Sequence, residues 1–413
     1  MTMQRMMQRR RFLQSTLAAL PLAAGSVRLM AASPGTPRVL LVFLRGAYDA
    51  ANLLVPVASS YYYEQRPNIA IARPGSAADA AIPLNAEWGL NPALIDTMLP
   101  LFERKQLAFV PFAGTDDTSR SHFETQDSIE LGQPLNAAAT RDFQSGFMNR
   151  LAQVLGARDA IAFTDQLPLT FRGTVQVPNL ALAKLGKPGF DARQSQLIAG
   201  MYRGSTLATP VEEGFAVRDE ADREINGSAM PMNGMAGEML AASRNAITAK
   251  GFEGEARRIA RLMRERYHLG FVDVGGWDTH VGQGAGTGYL ANRLAELGKG
   301  LAAYADEMGP AWDQSVVVVI SEFGRTFKEN GNRGTDHGHG SVYWVLGGAV
   351  CGGRIAGEQV AVAPGSLFQN RDYPVLNEYR AMLGGLFARL YGLSNEQLQQ
   401  VFRGVASRDL GLA

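Results

Sequence analysis

The chain of 413 residues is 46% hydrophobic and 19% charged, a composition that excludes a disordered protein and is typical of a large folded one. Its formal net charge of +1 at pH 7 provides no basic surface for a polyanion, so we expect no nucleic-acid partner. The single cysteine, Cys351, excludes an internal disulfide. Stability must therefore come from a large apolar core or from a bound metal ion.

The N-terminus has the pattern of an export signal. Three arginines at positions 9–11 are followed at once by Phe12 and Leu13, which is the twin-arginine address that a bacterial translocase reads. The apolar run over residues 15–25 is too short for a membrane span, which takes about 20 residues. We therefore predict a twin-arginine signal peptide over residues 1–33, with the twin-arginine translocase as a partner during export. The mature protein is expected in the periplasm or secreted, without a stable membrane span.

Strand and helix patterns alternate along the rest of the chain. Mainly apolar runs predict buried strands over Arg38–Leu44, Leu107–Phe112, Leu269–Val274, Ser315–Ile320 and Val342–Leu346. Helical periodicity predicts helices over Asp142–Leu155, Glu253–Arg266, Tyr289–Glu307 and Glu378–Tyr391. This alternation predicts one α/β domain over residues 38–410, with a mostly parallel central sheet between two layers of helices.

One stretch, residues 207–242, lacks strand signals and predicts an insertion or a lid. Four methionines gather in it, at positions 230, 232, 235 and 239. Thioethers are soft ligands that bind Cu(I), but methionines also fill irregular apolar gaps. Both interpretations stay open.

Acidic residues and histidines follow the predicted strands. The carboxylates are Asp49, Asp278, Glu322 and Asp336, and the imidazoles are His122, His280, His337 and His339. In an open parallel sheet, ligands bind beyond the carboxyl ends of the strands, where such side chains converge. Carboxylate oxygens and imidazole nitrogens are ligands for Zn, Mn, Mg or Ca ions. The sequence therefore predicts a divalent metal site formed by Asp49, Asp278, His280, Glu322, Asp336, His337 and His339.

A nucleophile is available beside these residues. A metal ion would polarise an ester oxygen and lower the pKa of a serine hydroxyl or of water. Ser119 or Ser121, flanked by Arg120 and His122, is the candidate nucleophile. Arg120 or Arg325 would then bind the oxyanion.

Each of these residues also has a purely structural interpretation. Asp49 has the position to cap a helix that begins near Ala50, and Ser119 and Ser121 are common turn residues. Glu322 and Arg325 have the charges and the spacing of a structural ion pair.

Five segments resemble, in this order, a large family of exported bacterial proteins known as domain of unknown function 1501. The segments are Leu44–Asp49 (LRGAYD), Ser119–Phe123 (SRSHF), Gly275–His280 (GGWDTH), Ser321–Thr326 (SEFGRT) and Asp336–Gly340 (DHGHG). The resemblance extends from about Arg38 to Gly404. The family is grouped with the alkaline phosphatase and sulfatase superfamily, which implies an alkaline-phosphatase-like three-layer fold.

The resemblance also implies roles for individual residues, since the superfamily hydrolases bind two metal ions and use a serine or threonine nucleophile. Asp49 resembles their first aspartate, Ser119 or Ser121 their nucleophile, and Asp278 and His280 a later ligand pair. Asp336 and His337 resemble a further aspartate–histidine pair, with His337 or His339 as the alternative for the last histidine.

Two departures from the superfamily pattern bear on its two-metal site. Asp278 and His280 are two positions apart, closer than in the phosphatases. Glu322 and Phe323 stand where an aspartate–histidine pair is expected, and Phe323 cannot bind a metal. The resemblance is therefore compatible with a site for two metal ions, for one, or for none.

The resulting hypothesis is an exported, metal-dependent hydrolase of phosphate or sulfate esters with a serine nucleophile. Its expected substrate is an anionic ester or a polysaccharide. The alternative is a non-catalytic cell-envelope protein that retains the fold and binds or assembles other components.

Overall fold

The structure is a computed structural model that describes residues 35–133, 141–156, 159–182, 200–202, 204–205, 208, 211 and 242–413. The predicted signal peptide over residues 1–33 lies outside the described residues. So does the methionine cluster, together with almost all of the predicted insertion or lid. Residues Pro37–Ala413 form one unit by their contacts. None of the described helices combines the length and the apolar character that crossing a membrane requires.

The described strands form two sheets. In chain order they are β1 (Arg38–Leu44), β2 (Leu54–Val55), β3 (Ile82–Pro83), β4 (Gly89–Leu90), β5 (Leu107–Gly114), β6 (Ala160–Phe163), β7 (Ile247–Thr248), β8 (Leu269–Gly275), β9 (Ser315–Ser321), β10 (Ser341–Leu346), β11 (Arg354–Ile355) and β12 (Asn377–Glu378). The central sheet has the order β11-β5-β10-β9-β1-β8-β6, with β12 beside β5 and β7 beside β8. The small antiparallel sheet has the order β2-β4-β3.

The described helices are α1 (Ser60–Gln65), α2 (Met98–Glu103), α3 (His122–Leu131), α4 (Phe147–Val154), α5 (Phe252–Glu265), α6 (Tyr289–Met308), α7 (Tyr379–Tyr391) and α8 (Asn395–Val401). All five predicted strands and all four predicted helices are present, and α4 begins five residues later than predicted, at Phe147. The pattern did not predict α3, because this helix has hardly any amphipathic character to mark it.

Strand β1 lies inside the central sheet, which explains why all its residues after Arg38 are apolar. Its alternate residues Leu40, Val42 and Leu44 pack with α5 and α6 on one face. The intervening Val39, Leu41 and Phe43 pack with α4, α7 and α8 on the other face. A strand covered on both faces has no solvent side on which polar residues would alternate. The predicted fold class, an α/β fold with helices on both faces of a mostly parallel sheet, is confirmed.

Strand direction decides which loops meet. Strand β1 is parallel to β8 and β9. Strand β10 is antiparallel to both β9 and β5, so β5 points the same way as β9 and β1. The carboxyl ends of β1, β5, β8 and β9 therefore lie at one edge of the sheet, and so does the beginning of β10. Because β10 is antiparallel to its neighbours, the loop that precedes β10 lies at the same edge as the loops that follow the other strands.

Gly46 allows two of these loops to touch. It has a φ of +116°, in a region that residues with a side chain rarely adopt. A Cβ atom on this residue would lie 2.8 Å from the backbone nitrogen of Asp278 and 3.0 Å from that of Trp277. The loop after β1 thus lies directly against the loop after β8, and only glycine fits there.

We expect Gly46→Ala to lower the free energy of unfolding by about 1–3 kcal/mol, since the new methyl group meets backbone in a strained conformation. Urea denaturation measures the change. The matched control is Gly331→Ala, where a Cβ atom would meet nothing within 4 Å, and its effect should stay within about 0.5 kcal/mol. Equal stabilities of the two variants would contradict the close approach.

Candidate metal centre

Three side chains from three loops meet at the carboxyl edge of the central sheet. His122 begins α3 after β5, Asp278 follows β8, and His337 precedes β10. Each offers one ligand atom, and these atoms all lie within 4.8 Å of one another. Two imidazoles and a carboxylate form a donor set typical of a borderline divalent metal ion. We call His122, Asp278, His337 and the adjacent His280 the donor cluster.

The imidazoles of the donor cluster present the same ring nitrogen to each other. Nε2 of His337 lies 2.9 Å from Nε2 of His122 and 3.1 Å from Nε2 of His280. Nε2 of His280 is also 2.8 Å from Oδ1 of Asp278. The remaining distances to the Asp278 carboxylate are 3.4 Å from His337 and 3.6 Å from His122. Three imidazole nitrogens and one carboxylate thus share one small volume.

The other ring nitrogen of each imidazole faces a hydrogen-bond acceptor. The three Nδ1 distances are 2.7 Å from His122 to the carboxylate of Glu322, 3.1 Å from His280 to the carboxylate of Asp336, and 3.1 Å from His337 to the backbone carbonyl of Arg120. These partners place the proton on Nδ1, because an acceptor needs a donor opposite it. Each Nε2 then carries a lone pair toward the centre, which is how histidine ligands of metals are commonly held.

The donor cluster attracts positive charge. Burial would raise the pKa of Asp278, but hydrogen bonds from the three imidazoles and the charge of Arg325 hold it well below its usual range. Burial would lower the pKa of His122, yet hydrogen bonds to Asp278 and Glu322 raise it to about 9. The hydrogen bond to Asp278 likewise raises the pKa of His280, so the carboxylates favour the protonated forms of His122 and His280.

Glu322 supports His122 from behind. Its carboxylate is fully buried and accepts hydrogen bonds from His122 at 2.7 Å, the Gly46 nitrogen at 2.8 Å, Gln126 at 3.0 Å and the Ser321 hydroxyl at 2.9 Å. Burial would raise the pKa of Glu322, but the hydrogen bonds with His122 and Gln126 lower it to about 2. Glu322, which the sequence predicted as a metal ligand, thus contacts the donor cluster only through His122. It is an ionised acceptor that orients this imidazole.

Asp336 holds the same position behind His280. Its Oδ1 atom accepts from Nδ1 of His280 at 3.1 Å and from the amide of Asn330 at 3.0 Å. Its side chain is 53% exposed, whereas the Glu322 side chain is fully buried. This carboxylate therefore orients His280 from the solvent side.

Asp49 lies outside the donor cluster because a buried arginine occupies both of its oxygens. Nη1 and Nη2 of Arg66 donate to its two oxygens at 2.5 and 3.1 Å, and Gln283 adds a hydrogen bond at 2.6 Å. Asp49 also caps the short helix that begins at Ala50, accepting from the Ala51 nitrogen at 3.3 Å. The structural interpretation of Asp49 as a helix cap is confirmed. The guanidinium of Arg66 supplies the positive charge beside the Asp49 carboxylate.

The two arginines expected to bind an oxyanion are committed to carboxylates. Arg325 donates from Nη1 to Asp278 at 2.7 Å, and its side chain is fully buried. Arg120 donates from Nε and Nη2 to Asp372 at 3.1 and 2.8 Å. Arg325 thus fixes the carboxylate of the donor cluster. The ion pair that Arg325 forms is with Asp278, and not with Glu322 as the structural interpretation of the sequence suggested. Arg120 instead contributes its backbone carbonyl, which accepts from His337 and belongs to a residue with a φ of +55°.

The two candidate serines differ in their surroundings. The Ser119 hydroxyl is exposed, accepts from the Ser121 nitrogen at 3.2 Å and lies 3.5 Å from the hydroxyl of Thr125. Ser121 is the residue before α3, directly adjacent to His122, and its hydroxyl caps no helix nitrogen. Ser119 therefore shapes the turn, while Ser121 is the serine that directly precedes a member of the donor cluster in sequence.

His339 and Phe323 are the remaining predicted positions of interest. The His339 ring is buried against Phe368, with ring centroids 4.7 Å apart, and burial lowers its pKa. No contact found among the described residues links it to the other three imidazoles. The Phe323 ring packs against the rings of His122 and His337 at 5.0 and 5.2 Å. Phe323 stands at the position where the superfamily pattern has a metal ligand, and its ring instead packs against two imidazoles of the donor cluster.

Sequence reasoning missed a buried set of polar residues behind Glu322. Gln126 donates to Glu322 at 3.0 Å and accepts from Arg45 at 2.9 Å. Arg45 also pairs with Asp273 at 2.6 Å and Glu130 at 2.8 Å, all of them buried. One signal was present, because Gln126 lies four positions after His122 and so shares its face of a helix. The helix itself had not been predicted.

Comparisons with known proteins place the chain in a family. The model of the family described as "Protein of unknown function (DUF1501)" matches residues 36–402. No curated protein matches the sequence.

Similar solved structures include a protein of the alkaline phosphatase superfamily from Vibrio parahaemolyticus, with 12% identity, a TM-score of 0.35, and coverage of 76% of this chain and 60% of that one. The lipoteichoic acid synthase LtaP from Listeria monocytogenes has 7% identity, a TM-score of 0.37, and coverage of 91% and 76%. The alkaline phosphatase from the Antarctic bacterium TAB5 has 10% identity, a TM-score of 0.28, and coverage of 76% and 91%. This chain therefore spans less than two thirds of the first of these proteins. The family predicted from the five sequence segments is confirmed by the family match, and the chain belongs to the DUF1501 family.

Proposed function

We propose that this protein is a metal-dependent hydrolase of phosphate or sulfate esters. The observation that carries the proposal is the donor cluster, in which three Nε2 atoms and the Asp278 carboxylate face one small volume while each Nδ1 atom is held by an acceptor. Lone pairs aimed at a common point repel each other unless a cation lies between them. Buried structural histidines have no need of such an arrangement.

A metal ion would be held by His122, Asp278 and His337, with His280 as a further ligand. The majority of imidazole donors favours Zn or Mn over Mg and Ca, which prefer oxygen ligands. When bound, such an ion supplies Lewis-acid polarisation of an ester oxygen. Arg325 fixes the Asp278 carboxylate, and Glu322 and Asp336 fix the orientations of His122 and His280.

We assign Ser121 as the nucleophile. Ser121 directly precedes His122 in sequence, and it stands before the ten-residue helix α3, whose first backbone N–H groups attract an anionic phosphate or sulfate. The hydroxyl oxygen would form a bond to phosphorus or sulfur while the ester bond breaks, and the leaving alcohol would take up the proton. Water would then hydrolyse the serine ester, releasing the inorganic anion and restoring the hydroxyl.

Loss of the Asp278 carboxylate tests the metal site. We expect Asp278→Asn to lose most of the bound metal, because Arg325 and the three imidazoles would then face each other without their central anion. Elemental analysis of purified protein and turnover of p-nitrophenyl phosphate and p-nitrophenyl sulfate are the measurements. Asp313→Asn, a change at an exposed carboxylate, is the matched control and should keep both metal and turnover. Wild-type protein without metal after loading with Zn or Mn would contradict the proposal.

Replacement of the serine tests the chemistry separately. We expect Ser121→Ala to lower kcat by at least about a thousandfold while the metal content stays unchanged, since the nucleophile is lost but no ligand is. Thr118→Ala, an exposed hydroxyl in the same turn, serves as the control. If Ser119→Ala abolishes turnover and Ser121→Ala does not, the assignment to Ser121 is wrong. A metal-loaded protein that hydrolyses neither ester would favour the non-catalytic alternative, to which the commitment of Arg120 and Arg325 to carboxylates also points.

We further propose export through the twin-arginine pathway, on the strength of the sequence at positions 9–13. Changing Arg9 and Arg10 together to lysine should retain the protein in the cytoplasm, because the receptor reads that pair. Cell fractionation with immunodetection measures the distribution, and Arg5→Lys, outside the pair, is the control. Unchanged export of the double variant would rule the pathway out.

A further inference from the structure

A cavity of about 300 Å³ opens beside the donor cluster. It lies between α1 and the segments around residues 326–330 and 367–371. Asp336 connects the two sites, because it lines the cavity and its carboxylate accepts from His280 of the donor cluster. Arg371, also in the lining, donates to the backbone carbonyl of His337 at 2.8 Å. A group seated in this cavity therefore lies next to a group held at the donor cluster.

The cavity offers polar groups that have no partner among the described residues. These groups are the ammonium of Lys328, the hydroxyl of Tyr61 and the side-chain amides of Gln65 and Asn370. Below them, the Tyr61 ring stacks on the Phe327 ring at 5.5 Å between centroids and 11° between planes. A concave surface that combines a fixed aromatic ring with several convergent polar groups is typical of a site for a polar ligand.

The hydrogen-bond donors that are free in the lining favour a ligand that supplies acceptor oxygens, such as an anion. Both carboxylates in the lining are already satisfied: Glu329 accepts from the Asn68 nitrogen at 2.9 Å and the Ile69 nitrogen at 3.1 Å, and Asp336 accepts from His280. Arg371 shares the buried Asp372 with Arg120, so that two guanidiniums face one carboxylate. Lys328 forms no ion pair with a described residue, so its ammonium is free to donate to a ligand, although the charges of Lys328 and Arg371 are formally balanced by those of Glu329 and Asp336.

We propose that this cavity is the subsite for the organic part of the substrate, and that this part is a hydroxylated, negatively charged group such as an acidic sugar unit. The inference rests on the proposed function, because it places the ester bond at the donor cluster and the rest of the molecule in the cavity. Lys328 and Arg371 bind the negative charge, and Tyr61, Gln65 and Asn370 bind hydroxyl groups. The ligand class follows from the unpartnered donors and the aromatic ring.

Direct binding tests the subsite without requiring turnover. Isothermal titration calorimetry compares tetragalacturonic acid with neutral maltotetraose, on the full mature chain as purified and again after dialysis against EDTA. We expect wild-type protein to bind the acidic tetrasaccharide in both states, more tightly at low ionic strength, and to bind the neutral one much more weakly. Binding that disappears with EDTA would mean that the carboxylates ligate the metal, and it would overturn the proposal.

Two lysine variants locate the binding. Lys328→Met should weaken binding of tetragalacturonic acid about tenfold, while Lys299→Met, on the exposed surface of α6, should leave it unchanged. Equal affinity of Lys328→Met and wild type, or equal affinity of wild type for the two sugars, would overturn the proposal. The two hypotheses fail separately. Binding at Lys328 without hydrolysis of either nitrophenyl ester would contradict the proposed hydrolase activity and support the subsite. Hydrolysis without binding of the acidic tetrasaccharide would support the hydrolase activity and contradict the subsite.

Discussion

Three imidazoles and a carboxylate face one small volume, and hydrogen bonds from the surrounding structure hold them in this arrangement. Glu322 and Asp336 each hold one imidazole by Nδ1, and a backbone carbonyl holds the third. These hydrogen bonds fix the tautomer and the ring orientation before any cation arrives, so binding loses little conformational freedom. Pre-orientation of this kind supports the proposal that the donor cluster binds a metal ion.

The support of His122 extends well beyond its immediate partner. Arg45 donates to the Gln126 carbonyl, which turns the amide N–H toward Glu322 and keeps that carboxylate an acceptor for His122. Arg45 is itself neutralised by Asp273 and another buried carboxylate. In a low-dielectric interior, each member of such a chain must be satisfied, so the arrangement is rigid as long as it is complete. The cluster geometry is thus anchored in the core of the protein.

The pairing of Asp49 with Arg66 keeps this carboxylate out of the donor cluster. A buried carboxylate requires a positive partner, and a guanidinium with two parallel hydrogen bonds meets that requirement permanently. A metal ion would have to displace it and leave Arg66 buried without an anion. The departures noted in the sequence, the close spacing of Asp278 and His280 and the presence of Phe323, agree with the single donor cluster found among the described residues.

Five strands of the central sheet, four helices and the residues at the ends of those strands follow from the sequence alone, since apolar runs and their periodicity are local properties of the chain. Tertiary structure decided the rest. The antiparallel direction of β10, which brings His337 to the shared edge, depends on pairing between distant strands. Whether a carboxylate meets a metal, an imidazole or an arginine depends on neighbours far away in sequence, as Asp278, Glu322 and Asp49 illustrate. Composition fixes which chemical groups are available, and only long-range packing fixes which of them face each other.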